Sequence, residues 1–255
     1  MILELKGAGI RFGGLRAVQD LDLAISPGSL TGLIGPNGAG KTTVFNLITG
    51  IYAPTEGDIH FDGQSIVGLG PQQVAAGGIG RTFQNIRLFP GMSVMENVKV
   101  AMDRHLTATL FESVLRLPRF WNDHRHAADE AKKLLDTFGL LSVANLGAEE
   151  LPYGLRRRLE IARALATRPK LLLLDEPAAG MNPSEADDLM HLIRWVRDTF
   201  GVSILLIEHH MPVVMGICEH ITVLDHGAKI AQGTPAEIKR NPVVIEAYLG
   251  ADVHA

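Results

Sequence analysis

The stretch LTGLIGPNGAGKTTVFNLITG, residues 30–50, limits the possible folds of this chain more than any other part of it. Leu30–Ile34 has the length and apolar character of a buried strand, and Val44–Thr49 that of an apolar helix closed by Gly50. Between them, Gly35, Pro36, Asn37, Gly38, Ala39, Gly40, Lys41 and Thr42 satisfy the pattern G-x-x-x-x-G-K-[ST], with Thr43 following. The chemistry behind that pattern is specific. Glycines let the backbone curl so that several N–H groups point at phosphate oxygens. The following helix offers its positive N-terminal end. Lys41 is placed to reach the outer phosphates of a nucleotide, and Thr42 to ligate Mg²⁺. A flexible glycine turn could match by chance, but here a strand precedes and a helix follows.

A second stretch, LLLLDEP, carries the other half of such a site. Leu171–Leu174 puts Asp175 and Glu176 at the C-terminal edge of a buried strand, where ligands bind in open α/β sheets. Asp175 is expected to hold Mg²⁺, directly or through water. Glu176 is expected to orient and polarise an attacking water. Alone, an Asp-Glu pair after a strand reads equally well as a solvated cap; the phosphate loop upstream decides for chemistry.

The remaining pattern supports an α/β core. Residues 2–6 and 21–25 and Ile59–Phe61 read as strands, so the opening third is mostly strand around one strand–loop–helix unit. Residues 92–147 instead space their apolar residues helically. Within them RHLTATLFESVLRLPRFWNDHRH reads as a surface helix pair, or as a membrane-facing amphipathic helix. Beyond, helices Arg157–Ala166 and Glu185–Phe200 alternate with strands Leu171–Leu174, Val202–Ile207 and Ile221–Leu224, which implies a parallel sheet covered on both faces. A formal net charge of −4 gives no general basic field for nucleic acid, and the single cysteine, Cys218, allows no internal disulfide. With no secretory pattern and no apolar run of about 18 residues, the chain is expected to be soluble, docking on a membrane protein at most.

GPNGAGKTT, TFQN, LPYGL, LLLLDEP and IEHH, in that order along essentially the whole chain, resemble the nucleotide-binding subunits of ABC transporters. The resemblance implies ATP and Mg²⁺ as cofactors. It makes Gln84 the glutamine that contacts Mg²⁺ or the water and links the site to membrane subunits. His209 becomes the residue contacting the γ-phosphate, with His210 as the alternative. Phe12 becomes the aromatic that stacks on adenine, and Val18 an apolar wall near the ribose; a core phenylalanine is the other reading of Phe12.

The family's signature LSGGQ is altered here to Leu151, Pro152, Tyr153, Gly154 and Leu155. Pro152 supplies neither hydroxyl nor N–H, though it suits a helix start. Gly154 still permits close backbone approach to a nucleotide. Arg156, Arg157 and Arg158 either add positive charge there or form a solvated helix face. Tyr-Gly, DEPAAGMNP, IRFGGLRAV and IEAYLG are similar to the cassettes of branched-chain amino-acid importers, which carry two different cassettes per transporter. Asn182 stands where the family commonly has aspartate, which points to a modified dimer contact.

The expected fold is a single domain, residues 1–255. It comprises a RecA-like α/β P-loop core with an N-terminal antiparallel β region (1–91 and 156–255) and a helical subdomain (92–155). The expected function is ATP hydrolysis powering uptake of branched-chain or related amino acids. Implied partners are a second cassette (a heterodimer in preference to a homodimer), two transmembrane permeases and, indirectly, a periplasmic or extracellular solute-binding protein. The implied place is the cytoplasmic face of the inner membrane, as a peripheral subunit. Other readings are a soluble ABC ATPase acting on ribosomes or DNA, an exporter cassette, and a binding module without hydrolysis.

Overall fold

The computed structural model describes residues 1–102 and 118–251, so residues 104–117 of the basic, aromatic stretch lie outside the described residues. Contacts divide the chain into two units, Met1–Gln84 with Lys170–Ala255, and Asn85–Pro169. The first unit opens with β1 (Leu3–Phe12), β2 (Leu15–Ile25), β3 (Leu30–Ile34), α1 (Lys41–Ile48), β4 (Glu56–Phe61), β5 (Gln64–Ser65), α2 (Pro71–Gly77) and β6 (Ile79–Arg81). The second unit holds α3 (Val94–Met102), α4 (Pro118–Thr137) and α5 (Tyr153–Ala166). The first then resumes with β7 (Leu171–Asp175), α6 (Pro183–Phe200), β8 (Ser203–Ile207), α7 (Met211–Ile217), β9 (His220–Asp225), β10 (Ala228–Gly233), α8 (Pro235–Arg240) and α9 (Pro242–Ala251).

Two sheets organise the first unit. One is antiparallel with order β2-β1-β4-β5. In β2 the alternation is plain from Asp20 onward: Leu21, Leu23 and Ile25 are buried while Asp20, Asp22 and Ala24 are exposed, as a strand with one face on a core requires. The other sheet has order β10-β9-β3-β8-β7-β6. It is parallel from β9 to β6, with β10 antiparallel at the edge. β3, β7 and β8 are buried at every position, which is why their sequences are apolar runs rather than alternating ones. Leu33 lies opposite Ile207, and Ile207 opposite Asp175. The C-terminal ends of three neighbouring strands therefore line up. The segments leaving them, at Gly35, Glu176 and Glu208, start from one edge.

In the helical unit α3 packs against both α4 and α5. The unit reaches Pro169, beyond the 155 expected from sequence, because α5 belongs to this packing. Pro152 is the N-cap of α5. The three arginines do not form a common basic face. Arg156 donates to the carbonyls of Leu151 and Glu149, closing the turn before the helix. Arg157 is fully buried and its guanidinium lies 2.6 Å from Glu160 Oε2. Helical spacing puts residues 157, 160, 161 and 164 on one side, and that side is buried.

Among the described residues no helix is long and apolar enough to cross a membrane. Cys218 is buried, and that burial pushes its thiol up to about 12.

Candidate functional site

The phosphate-loop sequence folds as the chemistry of its glycines dictates. Gly35 leaves β3 at φ +154°, where a Cβ would stand 2.1 Å from the Leu224 carbonyl oxygen. Gly40 has φ +99°, and a Cβ there would stand 2.5 Å from the Ala17 carbonyl oxygen. Neither position admits another residue without moving backbone. Gly40 is the N-cap of α1, so the unpaired N–H groups of that first turn face the loop. Lys41 is 6% exposed. Its Nζ donates to the Gly35 carbonyl at 2.7 Å and the Pro36 carbonyl at 2.8 Å. Burial lowers the ammonium's pKa, while Glu176 and Asp175 pull it back up. These two hydrogen bonds use two of the three ammonium donors and leave the third for a phosphate.

A cavity of about 460 Å³ lies over the loop. Asn37, Gly38, Ala39, Gly40, Lys41, Thr42 and Thr43 line it, together with Phe12, Arg16, Ala17, Glu176 and His226. Phe12 is 44% exposed, and its ring meets Tyr52 edge-on at 5.1 Å. It is thus a partly solvated aromatic at the cavity mouth, unlike a core phenylalanine. Val18 does not line the cavity. It is 1% exposed, because a register irregularity between Val18 and Leu21 turns both to the same buried face; Ala17 takes the lining position.

At the adjacent strand ends two side chains converge on one carboxylate oxygen of Glu176. Gln84 Nε2 donates to Glu176 Oε2 at 2.8 Å. His209 Nδ1 lies 3.5 Å from the same oxygen. Glu176 itself has φ +45°, a left-handed conformation that costs on the order of 1 kcal/mol. Its N–H donates to the Ile207 carbonyl at 2.9 Å and holds it there. His210 is the N-cap of α7, and the described contacts bring His209 rather than His210 to Glu176. Asp175, one residue earlier, is 5% exposed and is paired with Arg81 at 2.9 Å.

Two residues of this edge were missed from sequence. Glu208 is fully buried. One carboxylate oxygen accepts the Ala178 N–H at 2.7 Å, and the other accepts the N–H groups of His209 and His210 at 3.1 and 3.2 Å. A charged residue closing the apolar run SILLI was the available signal. Arg81 was the other, in RTFQ. Asn182, by contrast, acts locally. Its side chain accepts the Glu185 N–H at 3.0 Å, and its own N–H donates to Glu185 Oε2 at 2.9 Å. That is a reciprocal cap of α6.

The Thr42 hydroxyl, the Asp175 carboxylate and the Gln84 amide offer hard oxygen donors of the kind Mg²⁺ takes. Among the described residues no cluster of three or more His, Cys, Asp or Glu could hold a metal unaided. Such a donor set fits an ion that also takes phosphate oxygens. In the helical unit, a Cβ on Gly154 would meet nothing within 4 Å. Nothing in the described chain therefore requires glycine there.

The chain is similar over nearly its full length to known proteins. A family model for ABC transporters matches residues 18–179, and one described as a branched-chain amino acid ATP-binding cassette transporter matches residues 228–254. The high-affinity branched-chain amino acid transport ATP-binding protein BraF of Pseudomonas aeruginosa is 49% identical over 98% of both chains. LivG of Escherichia coli, with the same descriptive name, is also 49% identical over 98% of both. Among solved structures, a nucleotide-free ATP-binding cassette from an ABC transporter superposes with a TM-score of 0.82 at 30% identity, covering 97% of this chain and 98% of that one. The ADP conformation of an ATP-binding cassette matches with a TM-score of 0.82 at 29% identity, covering 98% of each.

Proposed function

The chain belongs to the ABC transporter family, and from that premise we propose that it is the ATP-hydrolysing subunit of an importer for branched-chain amino acids. The convergence of Gln84 and His209 on Glu176, beside a phosphate loop, carries the hydrolytic reading. The relatives named for branched-chain amino acid transport support the choice of cargo.

Each residue has its own part in the chemistry. Phe12 offers its face to the base. Stacking needs no particular base, so discrimination of ATP from GTP should be loose. Backbone N–H groups of the loop from Asn37 to Thr43 hold the phosphates, and Lys41 turns an ammonium donor to join them. Thr42, Asp175 and Gln84 are the residues that would hold Mg²⁺, which when bound neutralises charge on the β- and γ-phosphates. Glu176 orients and polarises the attacking water, with its carboxylate fixed by Gln84. His209 stands next to it for the γ-phosphate.

As a transporter cassette the chain works with membrane permeases and dimerises. We assign it two permeases, a second cassette and, indirectly, an extracytoplasmic solute-binding protein. It sits peripherally on the cytoplasmic face of the inner membrane, and it needs no nucleic acid. The altered LPYGL signature favours a heterodimer. Gly154, open toward solvent and unconstrained by its own chain, is kept for close approach to the partner's nucleotide. Pro152 has lost the hydroxyl and N–H that would help there. The site built on this chain's own Lys41 and Glu176 is then the stronger of two.

Leucine uptake and ATPase activity in the reconstituted transporter test both levels. Glu176→Gln should keep ATP binding and lower hydrolysis by about 10²-fold or more. A wild-type rate in that variant would overturn the assignment of Glu176. The matching change in the partner cassette should do less damage; equal losses would sink the asymmetry.

A further inference from the structure

Arg81 sits where an ion-pair partner for a metal-binding carboxylate is least expected. It ends β6, three residues before Gln84, and its side chain is 9% exposed. One guanidinium nitrogen donates to Asp175 Oδ2 at 2.9 Å. Another donates to Asn46 Oδ1 at 2.8 Å, and lies 3.4 Å from Thr49 Oγ1, both on or just after α1. The cation lies 5.4 Å from the Phe45 ring centre and 5.0 Å from that of Phe83. Its Nε is buried without a hydrogen-bond partner. An arginine held between two aromatic faces, with one donor unsatisfied, is expensive to keep unless its charge has a use. Little water separates it from Asp175, so their interaction is strong.

We propose that Arg81 is a positioning residue that makes Asp175 a poor ligand for a divalent cation until nucleotide phosphates are present. The proposal rests on the reading of Asp175 as a metal ligand. Arg81 is paired with Asp175 and Lys41 is drawn toward Glu176 and Asp175, while Glu208 at the same edge spends its carboxylate oxygens on three backbone N–H groups, so little free carboxylate charge is left there for a lone cation. Arg81 takes Oδ2 and leaves Oδ1 of Asp175 for the metal. Phosphate then supplies both the missing negative charge and the remaining oxygens. The metal therefore enters with the nucleotide rather than ahead of it. The same guanidinium fixes the carboxylate's rotamer relative to α1, the helix that follows the phosphate loop.

Mn²⁺ binding to the full chain, followed at pH 8 by the electron paramagnetic resonance of free Mn²⁺, tests this without any turnover. Wild-type protein should retain Mn²⁺ only with a non-hydrolysable ATP analogue. Arg81→Met should retain it without nucleotide, about tenfold more tightly than wild type or better. Adding Asp175→Asn to that variant should abolish the gain. Arg81→Gln keeps a donor for Asp175 while removing the charge, and carries the same expectation if the methionine variant does not fold. A folded Arg81 variant whose nucleotide-free Mn²⁺ affinity equals the wild type's overturns the proposal, leaving Arg81 a brace. If Asp175→Asn alone binds Mn²⁺ with the analogue as tightly as wild type, the metal-ligand reading itself fails, and the proposal with it.

Discussion

Glu208 holds His209 by its backbone, and its chemistry leaves no room for an amide. Each of its two carboxylate oxygens accepts at least one N–H, from Ala178 on one side and from His209 and His210 on the other. A glutamine presents one acceptor and one donor, so either orientation points an NH₂ at a backbone N–H. Glu208→Gln should therefore destabilise the chain by about 1–3 kcal/mol. It should also lower kcat more than it raises the KM for ATP, because His209 is displaced while the phosphate loop is untouched. Denaturant midpoints and steady-state kinetics check the two parts. Residues such as Lys41, Asp175 and Glu176 were legible because their chemistry forces a pattern within a few positions. Glu208 and Arg81 were not, because each acts through partners far away in sequence: Ala178 for one, Asn46 and Asp175 for the other. Val18 is buried away from the cavity for a smaller reason: an irregularity in β2 between Val18 and Leu21 puts both on one face, which a regular alternation does not foretell.

At the scale of elements, sequence periodicity located the buried strands nearly residue for residue. Leu30–Ile34 is β3 as expected, and the helix read as Arg157–Ala166 begins earlier, at Tyr153. β10 was passed over because AKIAQG lies at a sheet edge and is only partly buried, so it shows no apolar run. From sequence the arginine triplet suggests a solvated face or added positive charge beside the signature. Its middle member is instead consumed by a buried pair with Glu160, a contact visible only once the helix has a packed side. Asn182 has a local part that aspartate would also fill. Its capping box opens an 18-residue helix. Asn182→Ala should cost about 1 kcal/mol through the lost cap. Asn182→Asp should stay within a few tenths of wild type, with the extra charge favourable at a helix N-terminus. Urea titrations, showing a shifted midpoint at unchanged m, separate these outcomes. A large gain of ATPase activity in the aspartate variant of the heterodimer would show instead that position 182 reports to the partner.

For the whole molecule, the division of labour between the two units sets what ATP can do to a lone chain. Every residue assigned to holding or hydrolysing the chain's own nucleotide lies in Met1–Gln84 with Lys170–Ala255; Leu151–Leu155 lies in Asn85–Pro169. The signature segment is proposed to serve a different nucleotide, the partner's. ATP alone should then stabilise the first unit by mass action, by about 2.7 kcal/mol at a hundredfold excess over Kd. Backbone hydrogen exchange of Glu176→Gln protein should slow at residues 35–49, 171–176 and 205–210. Residues 151–158 should exchange as before, because nothing new touches them. With the second cassette added, ATP should slow exchange at 151–158 as well, since their N–H groups are then covered by the partner's phosphate loop. The altered signature makes the extent informative. Gly154 and the N–H groups after it can close on a phosphate, whereas Pro152 contributes no amide to measure. Protection at 151–158 that needs both ATP and the partner fits a weakened but working signature. Protection there with ATP alone, in protein shown by light scattering to stay monomeric, would assign that segment to the chain's own nucleotide and overturn the division between the two units' roles.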